Sequence, residues 1–253
     1  IRFFLSHGLL NVTNRPLWRT VKGGSKEYVK RLADSYKESI RFEKVSAIRR
    51  KVDGVEIKNY KNEIENFDHV VIATHADEAF LLLEDPSPRE KYLLSSWKYT
   101  RNQAVLHNDY NLMPKRKRVW SSWNFIANGK PDRDEKVCLT YWMNKLQNIP
   151  ESKPLFVTLN PGEVIMDEAI ISEHEYTHPY FDTNALESQK NLWDIQGINR
   201  TWFCGSYFGY GFHEDGLQSG LAVAEQLGGL SRPWNTVDEN DRIIVKSPNQ
   251  VAA

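Results

Sequence analysis

Two cysteines, Cys138 and Cys204, are all that the 253 residues supply. That is too few for a disulfide framework. Both sit among apolar, strand-like neighbours and read as reduced core thiols of a cytoplasmic protein. Net charge is missing too: Lys+Arg and Asp+Glu each total 33, so no cationic excess points to nucleic acid as a partner. No apolar run approaches the roughly 20 residues of a membrane span, and no signal-peptide pattern is visible. A G-x-G-x-x-G string is absent as well; the nearest is Gly209-Tyr210-Gly211. The chain therefore lacks the strand–turn–helix that cradles a dinucleotide's phosphates. It begins at Ile1 rather than Met. The simplest expectation is the C-terminal part of a longer protein, inactive by itself.

What is present concentrates in TWFCGSYFGYGFHEDGLQSGLAVAEQL, Thr201 to Leu227. The pattern predicts a short buried strand (Trp202, Phe203, Cys204), a turn and a helix. Gly205, Gly209, Gly211 and Gly216 remove side chains where a backbone bends sharply or lies against something flat. Gly220, Ala222 and Ala224 let another element approach the helix closely. First-turn N–H groups, with the positive end of the helix dipole, would face whatever sits above the turn. This suits a planar ligand that becomes negative during reaction.

The segment resembles the C-terminal FAD-binding motif of the flavin-containing amine oxidase and phytoene desaturase superfamily. There a strand ends in Gly, and a Gly-aromatic-x-Glu turn leads into the helix beneath the isoalloxazine ring. Gly211-Phe212-His213-Glu214 and Gly220 match that pattern. Two positions depart from it: Ser206 stands where an acidic residue commonly follows the strand-ending glycine, and Asp215-Gly216 replaces Gly-Ala. The resemblance implies FAD as cofactor, held at Gly205, Ser206, Gly211, Phe212, Glu214, Gly216 and Leu217. The amides of Gly216 and Leu217 would face flavin N1 and C2=O. Tyr210 and His213, beside the ring, are the candidate catalytic residues for tuning it or handling a proton.

A second block runs from Gly23 to Asp77. Gly23-Gly24 precedes a predicted helix with Tyr28, Val29, Leu32, Ala33 and Tyr36 on one face. Val45–Ile48 and Val55–Ile57 flank Asp53-Gly54, a hairpin signal. Asp68–Thr74 is a near-continuous apolar run, the mark of a strand covered on both faces. This block is similar to the superfamily's Gly-Gly-x-x-x-Leu region and the strands after it. The likeness implies that Val45 offers its backbone to adenine and that Ala73-Thr74 passes the pyrophosphate. Through the phrases WRTVKGGSKEYV, SSWNF, TYWMN and PLFVTLNP, the chain also resembles a bacterial subgroup described only as NAD/FAD-binding proteins.

The middle of the chain differs in character. Ser87-Pro88-Arg89-Glu90 predicts a capping box with Pro at the first helical position. Asn102–His107, Val119–Phe125 and Val137–Met143 predict an antiparallel meander. Alternation sets Trp120, Ser122 and Asn124 opposite Ser121, Trp123 and Phe125, and Leu139, Tyr141 and Met143 opposite Thr140 and Trp142. In the superfamily such a sheet walls the substrate cavity and suits an apolar or amine substrate. His174-Glu175-Tyr176-Thr177-His178 spells the zinc-protease string H-E-x-x-H, but Pro179 and an extended approach argue against a helix. On a strand the two histidines lie roughly 13 Å apart, too far to share a metal. Lys115-Arg116-Lys117-Arg118 reads as a solvated hairpin tip, with contact to anionic lipid head groups as the alternative.

The expected fold is α/β. A discontinuous, Rossmann-like FAD-binding domain without its N-terminal βαβ spans 19–77 and 198–229, and an antiparallel-sheet substrate domain spans 78–197. Residues 1–18 would be a remnant of the substrate domain and 230–253 a surface tail. The expected function is hydride transfer to FAD from a small amine or a lipid-like apolar substrate. A non-catalytic binding module, or a zinc hydrolase through His174-Glu175-x-x-His178, stands as the alternative.

Overall fold

A computed structural model describes residues 10–13, 19–125, 138–236 and 239–246 of the chain. Val137, Trp18 and most of the expected 1–18 remnant lie outside the described residues. In chain order the strands are β1 (Val45–Arg50), β2 (Val55–Asn59), β3 (Ile64–Phe67), β4 (Val70–Ile72), β5 (Lys98–His107), β6 (Trp123–Phe125), β7 (Leu139–Trp142), β8 (Phe156–Leu159), β9 (Ile170–Tyr180) and β10 (Thr201–Phe203). The α-helices are α1 (Lys26–Ala33), α2 (Ala76–Leu82), α3 (Pro88–Ser95), α4 (Met143–Gln147), α5 (Thr183–Gln189) and α6 (His213–Gly228). This is the α/β class expected from the sequence, with antiparallel sheets. Packing divides the chain into two units, each built from two separated stretches: Phe42–Asn102 with Tyr176–Ala253, and Ile1–Arg41 with Gln103–Glu175.

In the first of these units, β1 and β2 form the hairpin expected around Asp53-Gly54, with Arg50 opposite Val55. β3 adds a third antiparallel strand beside β2. Patterning does not announce it, because both its apolar residues, Ile64 and Phe67, are exposed and no buried face enforces alternation. The run Asp68–Thr74 is not covered on both faces as expected: β4 holds only three residues, and Val71 is 42% exposed.

The capping box of α3 forms as read. Ser87 Oγ accepts from the Glu90 N–H at 3.2 Å, and Glu90 Oε2 accepts from the Ser87 N–H at 2.7 Å. It launches Leu93 and Leu94 into a core shared with Trp97, Trp193, Phe203 and Tyr207. Beneath the hairpin Arg50 Nη1 lies 2.5 Å from Glu90 Oε1, both side chains almost wholly buried, and its Nε lies 3.0 Å from Asp85 Oδ1.

The polar stretch after Ser231, read as a surface tail, is tied down among its described residues. Arg232 meets Glu225 at 2.7 Å, Gln226 donates to the Lys246 carbonyl at 2.9 Å, and Ile243 is buried. Paired polar groups hold it, and hydropathy does not register those.

In the other unit the sheet order is β6-β7-β8-β5, with β9 beyond β5. The expected meander is therefore wrong in one respect: β8 lies between β7 and β5, antiparallel to both. The basic run Lys115–Arg118 accordingly is no hairpin tip; it joins strands that are not neighbours, and Lys117 pairs with Glu151 at 2.8 Å. Gly23 and Gly24 take φ of +88° and +89° to turn the chain into α1, a conformation open to glycine. The helix forms, but none of its residues is buried, and Leu32 is 63% exposed. Tyr36 lies beyond its end.

The buried face of this sheet is partly polar. His107, Thr158, Thr140 and Asn124 are all buried on it. His107 Nδ1 accepts from the Asp109 N–H at 3.2 Å, so the proton sits on Nε2, 2.8 Å from Thr158 Oγ1. Thr158 Oγ1 is in turn 2.8 Å from Thr140 Oγ1. Aromatic rings pack beside this ladder: Trp120 lies 5.3 Å from Trp142, 5.8 Å from Tyr110 and 5.9 Å from Phe156. Trp123 and Tyr141 meet edge-on at 6.0 Å on the half-buried side.

Burial pushes the His107 pKa below its ordinary value of 6.5, against the pull of Asp109. Below that pH the unfolded chain takes up a proton that the folded chain refuses, so stability falls as pH drops. Urea unfolding at about pH 7.5 and about pH 5.5 should show this loss, and His107→Gln should reduce the difference. An unchanged difference would mean that His107 is not held neutral.

Candidate functional site

β4 and β10 pair in parallel, with Val70, Val71 and Ile72 opposite Thr201, Trp202 and Phe203. Their carboxyl ends continue as Ala73-Thr74 and Cys204-Gly205, and the Cys204 N–H donates to the Ile72 carbonyl at 3.1 Å. Open α/β sheets bind ligands outside such strand ends, where the connections diverge. Buried Gln196 covers the other edge of β10: Nε2 donates to the Phe203 carbonyl at 2.6 Å, and Oε1 accepts from the Phe203 N–H at 2.8 Å. Burial pushes the Cys204 thiol up to about 11. It stays protonated and acts as a small core residue rather than a nucleophile.

From Gly205 the chain turns back into α6, and three buried or half-buried polar side chains fix the turn. Ser219 Oγ accepts from the Gly205 N–H at 3.0 Å and reaches the Gly205 carbonyl at 3.2 Å. Gln189 Nε2 donates to the carbonyls of Tyr207 at 2.8 Å and Gly209 at 2.6 Å. Asp215, wholly buried, accepts from the Phe212 N–H at 2.7 Å and from Arg242 Nε at 2.7 Å. A carboxylate in the first turn also suits the positive end of the helix. A Cβ at Gly209 would stand 2.4 Å from Asp215 Oδ1. The departure from the family turn at Asp215 thus comes with a glycine that makes room for it.

Tyr210 is half-buried, with the Arg242 guanidinium 4.9 Å from its ring centroid and 5.9 Å from that of Phe212. His213 and Glu214 open α6 and are exposed, as is Leu217. Gly211 has φ +91°, and a Cβ there would meet the Phe181 ring at 3.2 Å. Ser206 N is the nearest atom to a Cβ placed at Gly216, at 3.8 Å, and nothing lies within 4 Å of one at Gly220. One face of the α6 backbone is therefore open. Contrary to the expectation for the amide donors, the Gly216 N–H is engaged within the helix, donating to the Phe212 carbonyl at 3.3 Å. The amides outside the helical ladder belong to the first residues, His213 and Glu214.

Val45, Ala73 and Thr74 come together in one cleft of about 610 Å³ bounded by β1, β2, β4 and α2, with Ser46, Tyr60 and Val71 also on its walls. Val45 begins β1, the edge strand of its sheet, at a bulge that Ser46 Oγ secures on the carbonyls of Lys58 and Asn59. The glycine-turn residues do not line this cleft. They abut it through Gly205, whose Cβ position is 3.5 Å from the Thr74 carbonyl oxygen. FAD requires an extended track past adjacent strand ends and a flat resting surface. Exposed Ala73-Thr74, the edge at Val45 and the bare backbone at Gly216 and Gly220 fit both needs. Nothing in the sequence marks Ser219, Gln189, Gln196 and Arg242, because single polar residues inside a fold carry no spacing signal.

In the other unit, Trp123 and Met143 line a cleft of about 770 Å³ with Ser121, Ser122 and residues of α4. The H-E-x-x-H string lies on β9, an extended strand, and His178 Nδ1 is 3.0 Å from Asn102 Nδ2. Among the described residues no group of His, Cys, Asp and Glu is placed to hold a metal ion.

Comparison with known proteins bears on the family. Residues 3–105 match a family model described as flavin containing amine oxidoreductase. No curated protein sequence matches the chain. Wild-type putrescine oxidase bound to putrescine is similar in structure, with a TM-score of 0.57 at 12% identity over 82% of this chain and 53% of that one. Reduced UDP-galactopyranose mutase is similar with a TM-score of 0.56 at 12% identity, over 91% of this chain and 55% of that one. At such identity the likeness establishes the fold. The chain spans about half the length of these structures. The resemblance expected from the sequence is thus matched by a family model and by neighbours of the same fold.

Proposed function

We propose that this chain forms part of an FAD-dependent oxidoreductase that removes hydride from an amine or a lipid-like apolar substrate. One observation carries the reading: parallel pairing of β4 and β10 sets Ala73-Thr74 beside Gly205 and leads directly to the open backbone of α6. When bound, the flavin supplies the hydride acceptor. The protein's part is holding and orientation. Val45 would present backbone to the adenine, and Ala73-Thr74 would lie along the diphosphate. The bare face at Gly216 and Gly220 would support the ring. Ser219, Gln189 and Asp215–Arg242 keep the turn in place before any ligand arrives, so ordering costs little on binding. Amides at the start of α6 would favour negative charge. Tyr210 and His213 flank this position and would hold or pass a proton. A cytoplasmic location is part of the proposal; among the described residues no helix is long and apolar enough to cross a membrane.

Titration of FAD into this chain, read by flavin fluorescence, tests the reading. Weak binding is expected, because no G-x-G-x-x-G turn cradles the phosphates. Gly216→Val should weaken it about tenfold or more, while His174→Ala leaves it unchanged. Absence of any FAD-dependent signal, or equal binding by Gly216→Val, overturns it. Stoichiometric zinc that disappears with His174→Ala would favour the hydrolase.

A further inference from the structure

We propose that the cleft of about 770 Å³ beside β6 and α4 binds an amphiphile with an anionic head, a carboxylate or phosphate on an apolar tail. Charge decides the sign of the head. Among the described residues, Arg19 and Lys145 line the cleft and no carboxylate does. The chain as a whole is neutral, so two cations with no acidic residue among the described residues of the wall are a local departure. Neither makes an ion pair with a described carboxylate. An anion entering between them gains attraction that a wall of mixed sign would cancel, and an ammonium group is repelled. Hydroxyls of Thr20, Ser121 and Ser122 on the same wall supply donors to the oxygens of such a head.

The tail is decided by what stands beside those donors. Trp123, Met143 and Leu146 are all half-buried on the cleft wall. An apolar chain laid on them removes further surface from water, and a volume of this size suits a small-molecule ligand. The walls are held in advance. Asn124 Nδ2 donates to the Ser121 carbonyl at 2.7 Å, and its Oδ1 accepts from the Ser121 N–H at 2.9 Å. Buried Asn144, one residue before Lys145, donates to the carbonyls of Pro150 at 2.9 Å and Lys153 at 2.7 Å and accepts from the Leu155 N–H at 2.8 Å. Calling the ligand a substrate rests on the oxidoreductase reading and would favour its lipid-like branch over its amine branch. The sign of the head does not depend on that reading.

Calorimetric titration of this chain without flavin, at low salt, tests the site with decanoate, decyl phosphate, decylammonium and inorganic phosphate. At least one decyl anion should bind saturably, the tighter one naming the head group, with decylammonium about tenfold weaker or more. The doubly exchanged Arg19→Glu/Lys145→Glu protein should lose about tenfold or more in affinity for the anion. Both side chains are exposed, so the exchange leaves the fold intact, and an unchanged melting curve will check this. Trp123→Ala should weaken the decyl anions and leave inorganic phosphate unaffected. Decylammonium binding as tightly as the anions, indifference to the double exchange, or inorganic phosphate matching decyl phosphate would each overturn the proposal. Because flavin is absent throughout, failure here leaves the FAD proposal standing, and failure of the FAD titration leaves this one standing.

Discussion

Replacing Arg50 by methionine is expected to lower the unfolding free energy by about 3–5 kcal/mol. The Glu90 carboxylate, 1% exposed, would lose the guanidinium beside it and remain as a buried charge. Glu90 also completes the capping box of α3 by accepting from Ser87, so it cannot swing out to water without freeing the helix start. Removing both charges, as Arg50→Met with Glu90→Leu, should recover much of the loss, since a buried pair adds little net stability over an apolar one. A chain of two units need not unfold in one step. Hydrogen exchange at amides of β1 and α3 is therefore the better measurement. A single variant that exchanges like the parent would show that the pair is open to solvent.

Gly209→Ala should cost about 3 kcal/mol and at least about tenfold in FAD affinity on titration. Its Cβ would overlap Asp215 Oδ1 at 2.4 Å, and Asp215 cannot yield. The Phe212 amide holds that carboxylate from one side and Arg242 from the other. Either the turn moves or the helix start loses its acceptor, and both outcomes displace the surface offered to the ring. Combining Gly209→Ala with Asp215→Ala should relieve the overlap while sacrificing the buried pair, so the two changes will not add. Thermal unfolding and FAD titration of the set give the answer. A Gly209→Ala protein indistinguishable from the parent in both would mean that the turn adopts another conformation in solution.

Both of these positions lie in segments that could be read without a structure, yet neither pairing could. The hairpin at Asp53-Gly54, the α3 capping box and the strand–turn–helix from Thr201 onward were legible because each is local: turn chemistry, caps and glycine spacing act within a few residues. Gathering Val45 with Ala73 and Thr74 came from resemblance, and the cleft places them together. What failed was non-local. β8 came between β7 and β5 because alternation names strands but not their neighbours. The run through Val71 looked doubly covered because hydropathy cannot tell a core from the wall of a cleft. Tyr28, Val29 and Leu32 form the stripe that usually marks a core, and α1 leaves that stripe exposed. Asp215 read as a flaw in a motif; only its partner Arg242, far along the chain, shows it to be a fixed point.

The parallel contact between β4 and β10 also constrains how the molecule comes into being. Val70 leaves the ribosome long before Thr201, its partner, exists. Between the two lie β5 to β9 and most of the other unit. Until that stretch is translated, β4 has no strand to pair with and Val71 no neighbour across the ladder. If Gln103–Glu175 condenses first, it shortens the effective loop that the later pairing must close, and the entropic cost falls with it. Newborn chains stalled before Thr201 should then be protease-sensitive around Val70–Thr74, and become resistant there once α6 has emerged.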